Sequence, residues 1–237
     1  MEGRVALVTG ASGGIGHAIA RRLASAGATL ALHYGRNESA ARDLASRLPR
    51  ASVFGADMLL KAAPDELVDQ VEAELGPVDV LVANHGVARR GAIEDVDADD
   101  FDYTLAVNLR APYLLARRVL PSMRERGFGR ILFLSSVASF TGGIVGPHYA
   151  ASKAGVNALT HFIASRTASD GVTVNAIAPA LIENTDMLPG DPGELASRIP
   201  VGRLGRPEEV ADLAFAVLSN GYLTNQVLSI DGGTYPR

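Results

Sequence analysis

The chain has no cysteine among its 237 residues, which excludes disulfides, thiol catalysis and cysteine-ligated zinc and suits a reducing compartment. Nor has it an excess of positive charge. Its 26 acidic and 22 basic residues leave a formal charge of -4, which gives no electrostatic reason to bind nucleic acid or an anionic membrane. No apolar run approaches the roughly 20 residues of a membrane span, and the opening MEGRVALVTG lacks the basic and long apolar segments of an export signal. The five histidines show no metal-ligand spacing. A Pro/Gly/Ser-rich linker, an internal repeat and a low-complexity tract are all missing as well. These absences predict one soluble, cytoplasmic domain over 1–237, without nucleic-acid, membrane or metal partners.

What the chain does have is a regular alternation. Short aliphatic runs, RVALVTG, TLALHYG, ASVFGAD, DVLVANHG, RILFLSS, VTVNAIAPA and QVLSIDGG, are continuous rather than alternating, as expected of parallel strands buried on both faces. Between them, segments such as 16–27 and 64–76 carry apolar residues at i, i+3, i+4 spacing and end at glycine, the pattern of crossover helices. The fold class predicted is α/β: a single-domain Rossmann fold with a doubly wound, seven-stranded parallel sheet and helices on both faces. Two longer helices, about 99–126 and about 148–169, exceed what one sheet face needs. The irregular region 181–206, with Pro189, Gly190, Pro192 and Gly193, follows the sixth strand and reads as a substrate lid.

Three stretches carry chemistry. The first strand runs into TGASGGIG, where Gly10, Gly14 and Gly16 permit a tight turn and close approach of a pyrophosphate to a helix N-terminus. At the end of the second strand, LHYGRNE offers Arg36 to a 2′-phosphate and no carboxylate before Glu38 to a ribose diol, which favours NADP over NAD. Asp57, ending the third strand, can accept from an adenine amino group or cap the next turn. The third stretch is HYAASKAG, which sets Tyr149 and Lys153 four residues apart, on one face of a helix. An ammonium at that range is expected to lower the phenol's pKa from about 10, making an acid/base pair. Taken alone, the pair equally describes a half-buried tyrosine beside a surface lysine. Ser135 and Ser136 end the fifth strand, thirteen residues before Tyr149 for Ser136, and would share its crevice.

TGASGGIG, the NHG at 84–86, Asn108, Ser136 with Tyr149 and Lys153, and the closing IDGG, in this order, resemble the short-chain dehydrogenase/reductase family over nearly the whole chain. The resemblance implies hydride transfer from a nicotinamide to a carbonyl carbon, with Tyr149 as proton donor and Ser136 bonded to the carbonyl oxygen. Lys153 would lower the phenol pKa and hold the nicotinamide ribose, and Asn108 would hold a water that links Lys153 to solvent. For the cofactor it implies contacts from Gly10, Ser12, Gly14, Ile15 and Gly16 at the first turn, and from Arg36, Asp57 and Met58 beyond the second and third strands. Asn84, Gly86, Pro179, Ile182 and Thr185 complete the implied set, together with Tyr149 and Lys153. Gly10, Gly13 and Gly16 also fit the extended relatives that act on nucleotide sugars, but the chain is too short for their additional substrate domain.

YAASKAGV, VNAIAPALIE, RLGRPEEVA and QVLSIDGG are most similar to 3-oxoacyl-acyl-carrier-protein reductases and their carbonyl-reductase relatives. That likeness implies an NADPH-dependent reductase of a 3-oxoacyl thioester, assembled as a homotetramer. Two other expectations stand beside it: an NAD(P)-dependent dehydrogenase of another secondary alcohol, such as a polyol or hydroxysteroid, and a dinucleotide sensor without turnover. Departures from the pattern are Ala83 and His85, Ala180, an apparent extra residue around Asn184 that shifts Thr185, and Asp170 where a carrier-docking arginine is usual. Asp170 would repel an acidic carrier protein, while Arg124, Arg126 and Arg130 offer an alternative basic dock. Phe140, Ile144, Val145, Leu181 and Leu188 are candidates for an apolar substrate wall or for packing beneath the lid. His85 reads as lining the cofactor loop, and His148 as adjoining Tyr149 but pointing elsewhere.

Overall fold

The computed structural model describes residues 1–185, 188 and 191–235. All seven aliphatic runs become strands of one parallel sheet: β1 (Val5–Val8), β2 (Thr29–Tyr34), β3 (Ala51–Gly55), β4 (Val80–Ala83), β5 (Gly129–Leu134), β6 (Val172–Pro179) and β7 (Val227–Ile230). Their order is β3-β2-β1-β4-β5-β6-β7, so the winding direction reverses between β1 and β4. A crevice opens at that reversal, outside the carboxyl ends of the strands. Every residue of β1, β4 and β6 is buried, as their unbroken aliphatic character requires. The edge strand β3 departs from this expectation, since only Phe54 is buried there and no strand pairs with its outer side.

Helices α1 (Gly14–Ser25), α2 (Glu38–Ser46) and α9 (Pro207–Ser219) cover one face of the sheet, packing Ile19, Leu23, Leu44 and Val210 against Ala6, Val8 and Leu32. Helices α3 (Ala63–Leu75), α5 (Ala111–Glu125) and α7 (Pro147–Thr167) cover the other. On α5, Leu115, Val119 and Met123 recur every four residues and are wholly removed from water. Burial of each such side chain is worth about 1.5–3 kcal/mol. The long segment ahead of α5 is continuous with α4 (Ala98–Leu105), but a π-helical turn, Ala106–Arg110, separates the two. Asp97 starts α4 by accepting the Asp100 N–H at 2.8 Å.

Short helices α6 (Ala138–Thr141) and α8 (Pro192–Ala196) lie in the loops after β5 and β6. Asp191 caps α8, accepting from the N–H groups of Gly193 and Glu194. Leu195, Ile199 and Leu204 form a small apolar cluster of their own, with Leu181 and Leu188 packed against it. Of the region expected to form a lid, Pro189 and Gly190 lie outside the described residues. Its two ends are joined where Ile182 bridges to Gly205.

Candidate active site

The turn after β1 is shaped by its glycines. Gly10 has φ +65°, and a Cβ there would come within 3.0–3.2 Å of the Asn84 and His85 backbone and side-chain atoms. A Cβ on Gly16 would overlap the Gly10 carbonyl oxygen, so α1 can begin this close to β1 only with glycine at that position. The first turn of α1 has neither a side-chain cap nor an acidic residue. Its N–H groups and the positive end of the helix dipole therefore remain directed at the crevice, the arrangement that binds a phosphate. Ser12 beside it makes no hydrogen bond among the described residues, and Ile15 packs down onto the core. Asn84 secures the turn, donating from Nδ2 to the carbonyls of Thr9 and Gly10 at 3.0 and 3.1 Å. The half-buried Gly86 follows two residues later.

Beyond β2, Arg36 is exposed and makes no ion pair or hydrogen bond among the described residues. Glu38 is occupied: Arg42 donates to it at 2.7 Å, and the Tyr34 hydroxyl is bonded to it too, both holding its carboxyl below the usual range. Asp57 is exposed and its Oδ1 accepts the Leu59 N–H at 3.0 Å, the capping alternative, with the rest of the carboxylate open to solvent. Met58 and Ile182 have their side chains buried in the two main cores. Only their backbones can face a cofactor.

At the start of α7, a continuous helix brings Tyr149 and Lys153 onto one face, with Lys153 Nζ 5.7 Å from the tyrosine ring centroid. Both are buried. The expectation of a lowered phenol pKa is not met: burial raises it above the ordinary value, and the hydrogen bond with Ser136 only partly offsets that. Burial also lowers Lys153 to about 8. The ammonium donates to the Leu134 carbonyl at 2.7 Å, so its nearest partner is the end of β5. Ser136 is half-buried, accepts the Ala138 N–H at 3.2 Å and lies 3.5 Å from the Pro179 carbonyl, which also accepts the Val137 N–H. Ser135, by contrast, turns inward and donates to Asn157 at 2.6 Å, a structural role.

Asn108 sits within the π-turn and is 1% exposed. Its Oδ1 accepts the Val87 N–H at 2.8 Å, and its Nδ2 donates to the Val87 carbonyl at 2.9 Å and to Ser152 Oγ at 3.2 Å. Ser152 in turn donates to the Tyr149 carbonyl at 2.7 Å. Sequence reasoning missed these anchors. Ser152 had a readable signal, its position between Tyr149 and Lys153, but Val87 contributes only backbone.

The loop after β6 reaches the same crevice. Asn184 has φ +55°, a left-handed conformation, and its carbonyl closes on Gly14 so tightly that a Cβ there would overlap it. The Thr185 methyl comes to 3.6 Å of the same point, and its hydroxyl donates to the Ile182 carbonyl at 2.9 Å. The proposed basic dock is not free. Arg124 donates to Asp170 at 2.6 Å, Arg126 to the Val78 carbonyl at 2.9 Å, and Arg130 to the Gly129 and Gly171 carbonyls at 2.8 and 3.1 Å. His148 is buried, lies against Gly146 and has an Nδ1 without a partner among the described residues. Phe140 stacks on Tyr235 with ring centroids 5.6 Å apart, Ile144 is exposed, and Leu181 and Leu188 pack under the loop. No helix among the described residues is long and apolar enough to cross a membrane.

Comparison with known proteins places this geometry. Residues 4–192 match the short chain dehydrogenase family. The acetoacetyl-CoA reductase of Rhizobium meliloti (strain 1021) is 37% identical over 241 residues, covering 98% of each chain. Among solved structures, a blue fluorescent protein from a metagenomic library in complex with NADPH superposes with a TM-score of 0.93 at 35% identity and 99% coverage of both chains. A 3-ketoacyl-(acyl-carrier-protein) reductase from Brucella melitensis complexed with NADH gives a TM-score of 0.93 at 30% identity and 98% coverage of both.

Proposed function

Because the chain belongs to the short-chain dehydrogenase family, we propose that it reduces a 3-oxoacyl thioester to the 3-hydroxyacyl product with NADPH. The observation that carries this reading is the buried Tyr149 beside Ser136, at the same crevice as the uncapped N-terminus of α1. A phenol held above its ordinary pKa is fully protonated at neutral pH, so it starts as the acid that a carbonyl reduction needs. When bound, the dinucleotide supplies the hydride for the carbonyl carbon. Tyr149 gives its hydroxyl proton to the carbonyl oxygen, and Ser136 Oγ hydrogen-bonds that oxygen as charge develops on it.

Lys153, mostly protonated below about 8, stabilises the phenolate that Tyr149 leaves behind. Asn108 positions the path by which the proton is replaced. The turn residues Gly10, Ser12, Gly14, Ile15 and Gly16 hold the pyrophosphate, the unpaired Arg36 the 2′-phosphate, and Asp57 the adenine edge. With Glu38 occupied by Arg42 and Tyr34, the end of β2 offers no free carboxylate among the described residues to the diol that marks NAD. The loop 181–206 closes on the substrate, which arrives on coenzyme A; the Asp170 carboxylate, which neutralises Arg124, stands against an acidic carrier, while Arg126 and Arg130 keep their charge on carbonyl partners. The reading includes assembly as a cytoplasmic homotetramer, in which a subunit contact along α5 and α7 would cover the exposed Tyr113 and Phe162.

The test is NADPH consumption with acetoacetyl-coenzyme A, compared with NADH and with Tyr149→Phe. Turnover that prefers NADPH and falls by about 10²–10⁴ in the variant, with NADPH binding intact, is expected. A wild-type protein that binds NADPH without reducing the thioester overturns the substrate class.

A further inference from the structure

Two buried histidines bracket the turn after β1, and they do so in the same sense. His33, at the end of β2, accepts the Gly10 N–H on Nδ1 at 3.2 Å, while its Nε2 is 3.0 Å from the Ala56 carbonyl. His85, after β4, has Nδ1 2.7 Å from Thr9 Oγ1 and Nε2 3.1 Å from the Val107 carbonyl. A carbonyl can only accept, so Nε2 carries the proton in both rings and Nδ1 is the acceptor. The rings meet edge to face with centroids 6.1 Å apart. Thr9 Oγ1 also accepts the N–H groups of Asn84 and His85 at 3.0 and 3.2 Å, and of the two acceptors its own proton can reach, His85 Nδ1 at 2.7 Å is closer than the Val82 carbonyl at 3.3 Å.

Val107 lies in the π-turn, directly before Asn108. One imidazole therefore spans from the glycine turn to the turn that carries the proposed proton-relay asparagine. No other side chain among the described residues makes this connection. The glycine-rich pattern does not require it, since His85 is one of the positions at which this chain departs from the pattern it resembles. We propose that His85 is a positioning residue: it locks the register of the Ala106–Arg110 turn to the Thr9–Gly10 turn, so that ordering of the glycine turn by the dinucleotide also orders the turn bearing Asn108. The groups facing His85 are Thr9, the Val107 carbonyl, His33 and Lys153. The two cationic-capable neighbours help to keep it neutral and its acceptor available.

This rests on reading the Gly10–Gly16 turn as the dinucleotide site, and its test does not depend on turnover. Amide hydrogen exchange is followed on the full chain with and without NADPH. In the wild type, NADPH slows exchange in both the 10–16 turn and the 106–110 turn. In His85→Asn, which keeps an acceptor toward Thr9 but is too short for Val107, the slowing persists in the first turn and is lost in the second. His85→Gln, long enough to donate to Val107, restores it. Slowing of both turns in His85→Asn, or its loss from both with no rescue by Gln, overturns the proposal. Failure of the wild type to reduce acetoacetyl-coenzyme A would leave these outcomes intact.

Discussion

Where the turn after β1 is fixed by hydrogen bonds from His33, Asn84 and Thr9, the loop after β6 that meets it over Gly14 is fixed by a few leucines and isoleucines and a surface ion pair. The first region has little side chain to vary: its glycines come close to backbone, and of its polar partners Thr9 and His33 are buried and Asn84 half-buried. The second rests on Leu195, Ile199 and Leu204, which can exchange with similar residues at modest cost. In the proposed reading, the part that binds the dinucleotide and the part that admits the substrate are thus built by different means.

The sharpest way to break the first region is Gly16→Val. Its branched side chain would displace the Gly10 carbonyl, and loss of detectable NADPH binding by calorimetry, with a destabilisation of about 1–3 kcal/mol, is expected. Acid should come next. His33 and His85 are held neutral chiefly by burial, at about 4 and about 3 against an ordinary 6.5. On acidification below 6.5 the unfolded chain takes up these protons first, so stability falls from pH 6.5 downward and levels off only below about 3. Urea unfolding at pH 7 and pH 4 measures this, and His33→Asn should show a smaller difference between the two. Among its described residues, the loop after β6 contains no buried histidine of this kind. There, Arg203 and Glu209 form a bidentate pair at 2.9 and 2.7 Å, and the pair holds the Glu209 carboxyl down at about 2. Because it is exposed, Glu209→Gln should lower the melting temperature by only about 1–3 °C and leave NADPH affinity unchanged.

Continuous aliphatic runs made the strands readable, and glycine spacing made the turn readable, because both constraints act within a few residues of chain. The same holds for Tyr149 and Lys153, which one helix brings together. What the sequence did not disclose depends on distant partners. The phenol's raised pKa follows from how deeply α7 is covered, and the Lys153 ammonium finds the Leu134 carbonyl across nineteen positions. Arg124 meets Asp170 from 46 residues away, which neutralises one of the three arginines of the expected basic dock. That the side chains of Met58 and Ile182 enter the two cores, leaving only backbone toward the crevice, likewise depends on packing from distant elements. Isolated histidines carry no periodicity, so His33 and His85 could not be read as braces.

The π-turn at Ala106–Arg110 also governs which lengths of chain evolution can accept. Such a turn is an α-helix carrying one surplus residue. Deleting any one of the five would let the backbone close into uninterrupted α-helix without breaking it, so the loss would look harmless locally. Yet it would rotate α4 against α5 by about 100°, the angle that one helical residue subtends, and withdraw Asn108 from Val87. A deletion in the exposed loop at 94–96 would merely shorten the approach to α4. Lineages descended from this protein should therefore vary in length on the loops flanking the long helix and hold the length of the helix itself constant.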